Sequence, residues 1–253
     1  MQTLKKRFGQ HFLTNKSILQ RIVHFAHINS GDTVVEIGPG KGTLTTALAN
    51  AAGRVIAIEI DRDLIPALRS TVPSNVEILE ADALQIDWPD TPFHVVSNLP
   101  YNVATPLFKR FIEDRDHILD VTVMVQKEVA ERMIAKPRTK AYGPLSVLIQ
   151  YYANVTYGFT VPPGAFTPPP KVDSAVIRLE WRPDVPNATS FTDFVHEVFF
   201  SRRKTFANNL LGMFGSLGRA DILHLLEQAG IAANARPEEL SVAEFLRVYN
   251  SIK

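Results

Sequence analysis

A short polar segment near the middle of the chain combines residue types that could hold the amine of a nucleobase. Asn98, Leu99, Pro100 and Tyr101 follow the apolar run 93–97. The side-chain carbonyl of Asn98 can accept a hydrogen bond, and so can the Leu99 carbonyl when Pro100 holds it outward. The flat ring of Tyr101 can stack on a planar ligand. We interpret the segment as an amine receptor, while an Asn–Pro turn followed by a core tyrosine is the alternative.

Such a receptor needs orientation more than it needs a base. The exocyclic nitrogen of adenine is a poor nucleophile because its lone pair is delocalised into the ring. Hydrogen bonds from this amine to Asn98 and to the Leu99 carbonyl would favour a tetrahedral nitrogen and orient its lone pair. Asn98 cannot titrate as a general base at neutral pH, so we expect positioning and fixed dipoles to carry the reaction.

A second candidate site lies in the glycine-rich loop EIGPGKG. Gly38, Gly40 and Gly42 follow a predicted strand and precede a predicted helix, where glycine permits a tight turn and a close approach of the backbone to a ligand. The loop fits either a dinucleotide or S-adenosylmethionine. Its GxGxG spacing after Glu36 is more typical of a methyltransferase than of the dinucleotide pattern GxGxxG, but the loop alone leaves both cofactors open.

Two carboxylates are placed to complete a nucleoside site. Glu59 ends the second predicted strand about 20 residues after the loop, where an acid can accept hydrogen bonds from both ribose hydroxyls. A surface carboxylate after a strand is the alternative. Asp82 ends the third predicted strand, and ligands of open α/β sheets bind at the carboxyl ends of strands.

The elements that must position these residues follow an alternating pattern. Apolar runs rich in Val and Ile alternate with helical patterns, which predicts right-handed crossovers and a doubly wound α/β sheet. The predicted strands are 33–38, 54–60, 76–82, 93–98, 120–126 and 174–181, and the helices between the first of them are 43–52, 62–71 and 105–113. We also predict a helix at 127–135 and a helix that runs into a strand at 143–155. After the linker 182–190 we predict only helices, namely 191–200, 204–213, 219–229 and 242–252.

Composition and charge narrow the classes of function. The chain of 253 residues has no cysteine, which excludes disulfides and thiolate chemistry and suits a reducing cytoplasm. It shows no apolar run of about 18 residues and no signal peptide, so we expect a cytoplasmic protein with no membrane partner. We also expect no metal site. Basic clusters at 5–7, 136–140 and 201–205 could each be a solvated surface, but together they predict a polyanion-binding face.

Five motifs occur in an order that resembles a known family. The strings are KRFGQHFL, EIGPGKG, NLPYN, FTPPPKVDSAV and FFSRRKTFANNL. Together they resemble the small-subunit ribosomal RNA adenine N6,N6-dimethyltransferases over nearly the whole chain. The resemblance implies a class I S-adenosylmethionine-dependent methyltransferase domain of Rossmann-like fold at 1–184, in which the basic segment 1–31 closes over the cofactor. It also implies a small all-helical domain at 185–253 that recognises RNA or the ribosome.

The resemblance further implies roles for individual residues. With Gly40 of the loop, the implied cofactor site comprises His11, Leu13, Gly38, Glu59, Asp82 and Asn98. Asp82 would lie near the adenine amine of the cofactor, and Asn98 at its methyl end. The target adenine would stack on Tyr101 and be covered by Phe166, which could otherwise be a loop aromatic packed on the core. The RNA phosphates would meet Arg202, Arg203 and Lys204.

The implied reaction is dimethylation of the N6 amines of two adjacent adenines near the 3′ end of small-subunit ribosomal RNA. The expected partner is this RNA within a pre-30S particle, bound by a monomer of the protein. Two alternatives stay open: an N6-adenine methyltransferase of large-subunit RNA or DNA, and a ribosome-assembly or nucleic-acid-binding factor. An NAD-dependent dehydrogenase ranks low, because it leaves the NLPY segment unexplained.

Overall fold

The structure is a computed structural model that describes residues 11–183, 185–186, 189–201 and 204–252. The chain divides into two compact units. One comprises Met1–Ala130 with Val155–Trp181, and the other comprises Glu131–Asn154 with Arg182–Lys253. No helix among the described residues is long and apolar enough to cross a membrane.

The first unit is built on a seven-stranded sheet. Its strands are β2 (Thr33–Ile37), β3 (Arg54–Glu59), β4 (Val76–Glu80), β5 (Phe93–Asn98), β6 (Ile118–Gln126), β7 (Ala153–Val161) and β9 (Ser174–Trp181). They lie in the order β4-β3-β2-β5-β6-β9-β7. The pairs from β4 to β6 are parallel, and β9 is antiparallel to β6. The sheet confirms the predicted α/β fold, and the six predicted strands agree with it to within about two residues.

The strand order reverses between β2 and β5, and this reversal fixes where a ligand can bind. From β2 the chain proceeds outward to β3 and β4, and it then returns to place β5 on the other side of β2. The loops that follow β2 and β5 therefore leave the sheet in opposite directions and open a crevice between them. Central residues such as Val34, Val55 and Val95 are fully buried, as expected for strands covered on both faces.

Helices flank the sheet, and the first of them in the chain was not predicted. The helices are α1 (Lys16–Phe25), α2 (Thr43–Ala49), α3 (Ile65–Thr71), α4 (Ala104–Glu113) and α5 (Lys127–Met133), the last of which continues into the second unit. Helix α1 begins after Asn15, whose side chain accepts a hydrogen bond from the Ile18 amide and so caps the helix. A two-stranded ladder of β1 (Phe12–Leu13) and β8 (Phe166–Thr167) was also missed.

The described part of the second unit contains no strand apart from the first residues of β7. Its helices are α6 (Pro144–Tyr152), α7 (Thr189–Phe200), α8 (Phe206–Met213), α9 (Arg219–Gln228) and α10 (Val242–Ile252). The unit differs from the predicted domain 185–253 because it also takes in Glu131–Asn154. The reason is aromatic packing: the Tyr151 ring lies 4.5 Å from the ring of Phe191, which in turn lies 5.2 Å from Tyr249.

Candidate active site

A cavity of about 340 Å³ lies at the carboxyl ends of the parallel strands, within the first unit. The loops that follow β2, β3, β4 and β5 line it, and residues 11–13 form part of its wall. Nearly all of the predicted site residues meet there: His11, Leu13, Gly38, Gly40, Glu59, Asp82, Asn98, Leu99, Pro100 and Tyr101. Patterns spread over 90 residues of sequence therefore converge on one crevice.

The glycine loop has backbone angles that only glycine adopts readily. Gly40 has φ of 58°, and a Cβ atom at this position would come within 2.8 Å of the Phe12 ring. The amide of Gly38 donates to the Ile58 carbonyl at 2.9 Å, which ties the loop to the end of β3. The loop can turn tightly beneath residue 12 only because the side chain is absent.

Glu59 is buried, and backbone groups hold its carboxylate. Oε2 accepts a hydrogen bond from the Gly40 amide at 3.1 Å, and Oε1 accepts one from the Asp61 amide at 2.8 Å. Burial raises the pKa of Glu59, and these backbone hydrogen bonds oppose the rise. Each carboxylate oxygen keeps a further acceptor site, so the group is oriented and can still accept ribose hydroxyls.

Asp82 is held in a similar way after β4. Its Oδ1 accepts a hydrogen bond from the Leu84 amide at 2.9 Å, and its Oδ2 accepts one from the Gln85 side chain at 3.4 Å. Both Asp82 and Leu84 line the cavity. The second predicted carboxylate, Asp82, therefore forms part of the cavity wall.

Glu36 is a cavity residue to which the sequence reasoning gave no role of its own. Its side chain is only 2% exposed, and its Oε2 has no hydrogen-bond partner among the described residues. Burial raises the pKa of Glu36 to about 8; the nearby Thr45 hydroxyl opposes the rise, and the Glu59 charge adds to it. The Thr45 hydroxyl likewise has no hydrogen-bond partner among these residues, so we attribute the high pKa to burial. The sequence does place an acidic residue, Glu36, two positions before the first glycine of the loop, and this pattern could have indicated a cavity residue.

Asn98 lies at the end of β5 and has one half of its amide engaged. Its Nδ2 donates to the His11 carbonyl at 3.2 Å, whereas its Oδ1 accepts no hydrogen bond from the part of the chain that the structure describes. The next residue, Leu99, donates its backbone amide to the Met124 carbonyl at 3.0 Å. The rim of the cavity thus offers an oriented amide oxygen on a backbone tied to the neighbouring strand.

Tyr101 is half-buried at the cavity and is held by its hydroxyl. This hydroxyl and that of Ser174 share a hydrogen bond of 2.7 Å, and Ser174 is fully buried at the start of β9. Burial raises the pKa of Tyr101, with the Ser174 hydrogen bond opposing the rise, so the phenol is neutral at physiological pH. The Tyr101 ring lies 5.8 Å from the His11 ring, tilted by 32°. The ring therefore faces the cavity and is not sealed in the core.

The short ladder of β1 and β8 closes one side of the cavity. Phe12 pairs with Thr167, and Leu13 pairs with Phe166. The Thr43 hydroxyl donates to the Leu13 carbonyl at 2.8 Å, which ties the ladder to the start of α2. No motif pointed to these contacts, which join residues about 150 positions apart.

Phe166 does not reach the cavity. Its side chain is 4% exposed and belongs to the same apolar cluster as Leu13 and Val96. Pairing with β1 holds it there, so the structure agrees with the alternative of a loop aromatic packed on the core and does not bring Phe166 to Tyr101. A role for Phe166 in covering the adenine stays a prediction.

The residues predicted to bind RNA, at 202–204, are distant in sequence from the residues that line this cavity. Arg202 and Arg203 fall outside the described residues, as do residues 1–10 of the basic segment 1–31. Lys204 is exposed, belongs to the second unit, and donates its amide to the Ser201 carbonyl at 2.9 Å. Within the described ranges, no cluster of three His, Asp or Glu side chains could hold a metal ion.

Comparisons with known proteins agree with these features. A family model described as "Ribosomal RNA adenine dimethylase" matches residues 1–253. The chain is 42% identical to the ribosomal RNA small subunit methyltransferase A of Streptococcus pneumoniae, over 99% of this chain and 92% of that protein. It is similar in structure to a dimethyladenosine transferase from Plasmodium falciparum, with a TM-score of 0.85, 28% identity, and 96% and 97% of the two chains covered. It is also similar to the 23S rRNA methyltransferase ErmE, with a TM-score of 0.74, 28% identity, and 94% and 98% covered.

Proposed function

The chain belongs to the ribosomal RNA adenine dimethylase family, and from this membership we propose that it dimethylates N6 of two adjacent adenines near the 3′ end of small-subunit ribosomal RNA. The choice of the small subunit is supported by the 42% identity to a protein named for that subunit. The likeness to ErmE shows that the same fold is found in a 23S rRNA methyltransferase, so fold alone does not choose between the subunits.

The charge of the cavity favours S-adenosylmethionine over a dinucleotide. Glu59 and Asp82 line the cavity, and no Lys or Arg side chain among the described residues does so. Glu36 also lines it, but its raised pKa of about 8 leaves it mainly protonated at neutral pH, so the negative charge comes from the other two residues. Carboxylates suit the positively charged sulfonium and ammonium groups of S-adenosylmethionine and would repel the pyrophosphate of NAD. When bound, S-adenosylmethionine supplies an electrophilic methyl group on a good leaving group. The residues of the cavity therefore fit this cofactor.

The observation that carries the proposed chemistry is the half-engaged amide of Asn98. Because Nδ2 donates its hydrogen bond to the His11 carbonyl, the Oδ1 atom is left to accept a hydrogen bond from a ligand. The amine of a target adenine can donate there and to the Leu99 carbonyl, which orients the nitrogen lone pair. Tyr101 offers its face to the base, with its hydroxyl held by Ser174. These residues position the amine without removing a proton from it before the new bond forms.

The substrate must present unstacked adenines to this cavity. Bases in a hairpin loop leave their stack at lower cost than bases in a duplex, so a loop near the RNA 3′ end suits the site. We propose that the protein acts as a monomer in the cytoplasm on a pre-30S particle, and that Arg202, Arg203 and Lys204 contact RNA phosphates.

The test compares methyl transfer to three substrates. The wild-type protein and Asn98→Ala are each offered unmethylated small-subunit particles, large-subunit RNA and duplex DNA, with labelled S-adenosylmethionine. We expect the wild type to methylate the small-subunit particles, and Asn98→Ala to bind them while losing about 10²- to 10³-fold in turnover. Transfer to either of the other substrates alone would contradict the proposed substrate, and undiminished transfer by Asn98→Ala would contradict the role of this residue.

A further inference from the structure

Phe200 is an aromatic side chain on the polar face of an amphipathic helix. The core face of α7 is filled by Phe191, Phe194, Val195, Val198 and Phe199, all of which are buried. Phe200 is instead 91% exposed, and it follows the exposed residues His196 and Glu197 by one helical turn. Packing inside the second unit therefore does not account for a phenylalanine at this position.

The exposed ring stands on a well-anchored backbone. The side chain of Asn209, itself buried, donates to the Val198 carbonyl at 2.9 Å and to the Ser201 carbonyl at 3.4 Å. These bonds satisfy carbonyls at the end of α7 that have no partner within the helix. On the other side of the turn, the Thr205 hydroxyl caps α8 by accepting the Asn208 amide. Phe200 is thus presented on the end of a helix that a buried side chain of α8 holds in place.

Phe200 precedes a basic run in the sequence. Arg202, Arg203 and Lys204 follow it in sequence. The Ser201 carbonyl accepts the Lys204 amide at 2.9 Å, and the Lys204 side chain is exposed. An exposed aromatic ring and an exposed lysine four residues later supply the two groups with which proteins bind unpaired nucleic acid: the ring stacks on a base, and the cation neutralises a phosphate.

The size of the patch decides against a protein partner. A phenylalanine ring offers about 150–250 Å², whereas a stable protein interface needs about 800 Å² from each partner. In the part of the second unit that the structure describes, Ile134, at 39% exposure, is the only other large apolar side chain counted as exposed. One ring matches one nucleobase.

We propose that Phe200 is a stacking platform for an unpaired base of the ribosomal RNA, which holds the RNA in place by contacts outside the active-site cavity. The Lys204 ammonium binds a flanking phosphate. This inference rests on the proposed function, because it takes the substrate RNA as the partner.

The test separates stacking from simple apolar contact. Phe200→Ala, Phe200→Leu and Phe200→Trp are compared with the wild type for their Kd on unmethylated small-subunit particles and on large-subunit RNA. Removal of the ring should weaken binding to the substrate RNA by about 5- to 150-fold, with Leu nearly as weak as Ala and Trp close to the wild type. The salt dependence of Kd should be unchanged in Phe200→Ala, whereas Lys204→Ala should lower the slope of log Kd against log salt by about 0.7–0.9. Thermal unfolding confirms that each variant is folded.

The outcomes are distinct from those that test the proposed function. Wild-type affinity in Phe200→Ala would overturn the platform, and wild-type affinity in Phe200→Leu would overturn stacking as its basis. If the wild type methylates only large-subunit RNA, the proposed substrate fails, and the platform is judged by the affinity of the same variants for that RNA. A wild type that binds neither RNA overturns both.

Discussion

Replacing Glu36 by Gln should change how the stability of the first unit depends on pH. The side chain is 2% exposed with an unpartnered oxygen, and burial raises its pKa from an ordinary value of 4.5 to about 8. The folded protein therefore keeps a proton that the unfolded chain releases above pH 4.5. The resulting stabilisation is complete below about pH 4.5 and is lost as the pH rises to about 8. Glutamine has nearly the same shape and cannot ionise.

The size of the effect follows from the interval between the two pKa values. Each pH unit within the interval corresponds to about 1.4 kcal/mol, so the whole interval is on the order of 5 kcal/mol. Between pH 5.5 and pH 7.5 the wild type should lose about 2–3 kcal/mol of unfolding free energy relative to Glu36→Gln. Groups present in both proteins, such as the His94–Asp120 pair, contribute equally and cancel in this difference.

The sequence supplies a convenient assay for this unit. Its two tryptophans, Trp88 and Trp181, both belong to the first unit, so fluorescence during urea unfolding reports on that unit. The exposed Glu197→Gln in the second unit controls for the loss of a carboxylate as such. An equal stability difference between the wild type and Glu36→Gln at both pH values would refute the argument that burial holds the proton on Glu36.

Three further substitutions test how the cavity is built. Ser174→Ala removes the partner of the Tyr101 hydroxyl, and we expect KM for RNA to rise about fivefold, from a hydrogen bond of about 1 kcal/mol, while the Kd for S-adenosylmethionine stays the same. Tyr101→Phe should have a similar effect, and combining the two should add little; full additivity would show that the bond does not matter. Gly40→Ala adds a methyl group 2.8 Å from the Phe12 ring at positive φ, so we expect a loss of at least about 1–2 kcal/mol of stability and weaker cofactor binding by calorimetry. Gly164→Ala, where the space is open, is its control, and equal behaviour of the two would contradict the steric argument.

The parts of the site that could be predicted from sequence are those encoded by short local patterns. An apolar strand ending in Glu59, or a glycine run after β2, needs only its own neighbours in the sequence to be recognised. The parallel sheet then brings such strand ends together as a matter of topology. Asn98 and Tyr101 were found in the same way, although the hydrogen bonds that orient them were not.

The parts that escaped prediction depend on partners distant in sequence. The ladder of β1 and β8 is two residues long, so it has no periodicity to detect, and its strands are about 150 residues apart. This ladder also explains why Phe166 is buried. In the same way, α6 reads as an ordinary helix in the sequence, and only its packing against Phe191 places it in the second unit.

The contacts that hold residues 11–13 in place have a consequence for turnover. This strip forms one wall of the cavity, and it is held by a two-residue ladder and a few hydrogen bonds from side chains such as Thr43. A local opening of this strip would break fewer contacts than unfolding of the sheet, and we expect the cavity to exchange its ligand by that route. The same opening would separate the His11 carbonyl from Asn98, so that the side-chain amide would lose the hydrogen bond that orients it. Access to the cavity and the orientation of the Asn98 amide thus depend on the same contacts of residues 11–13.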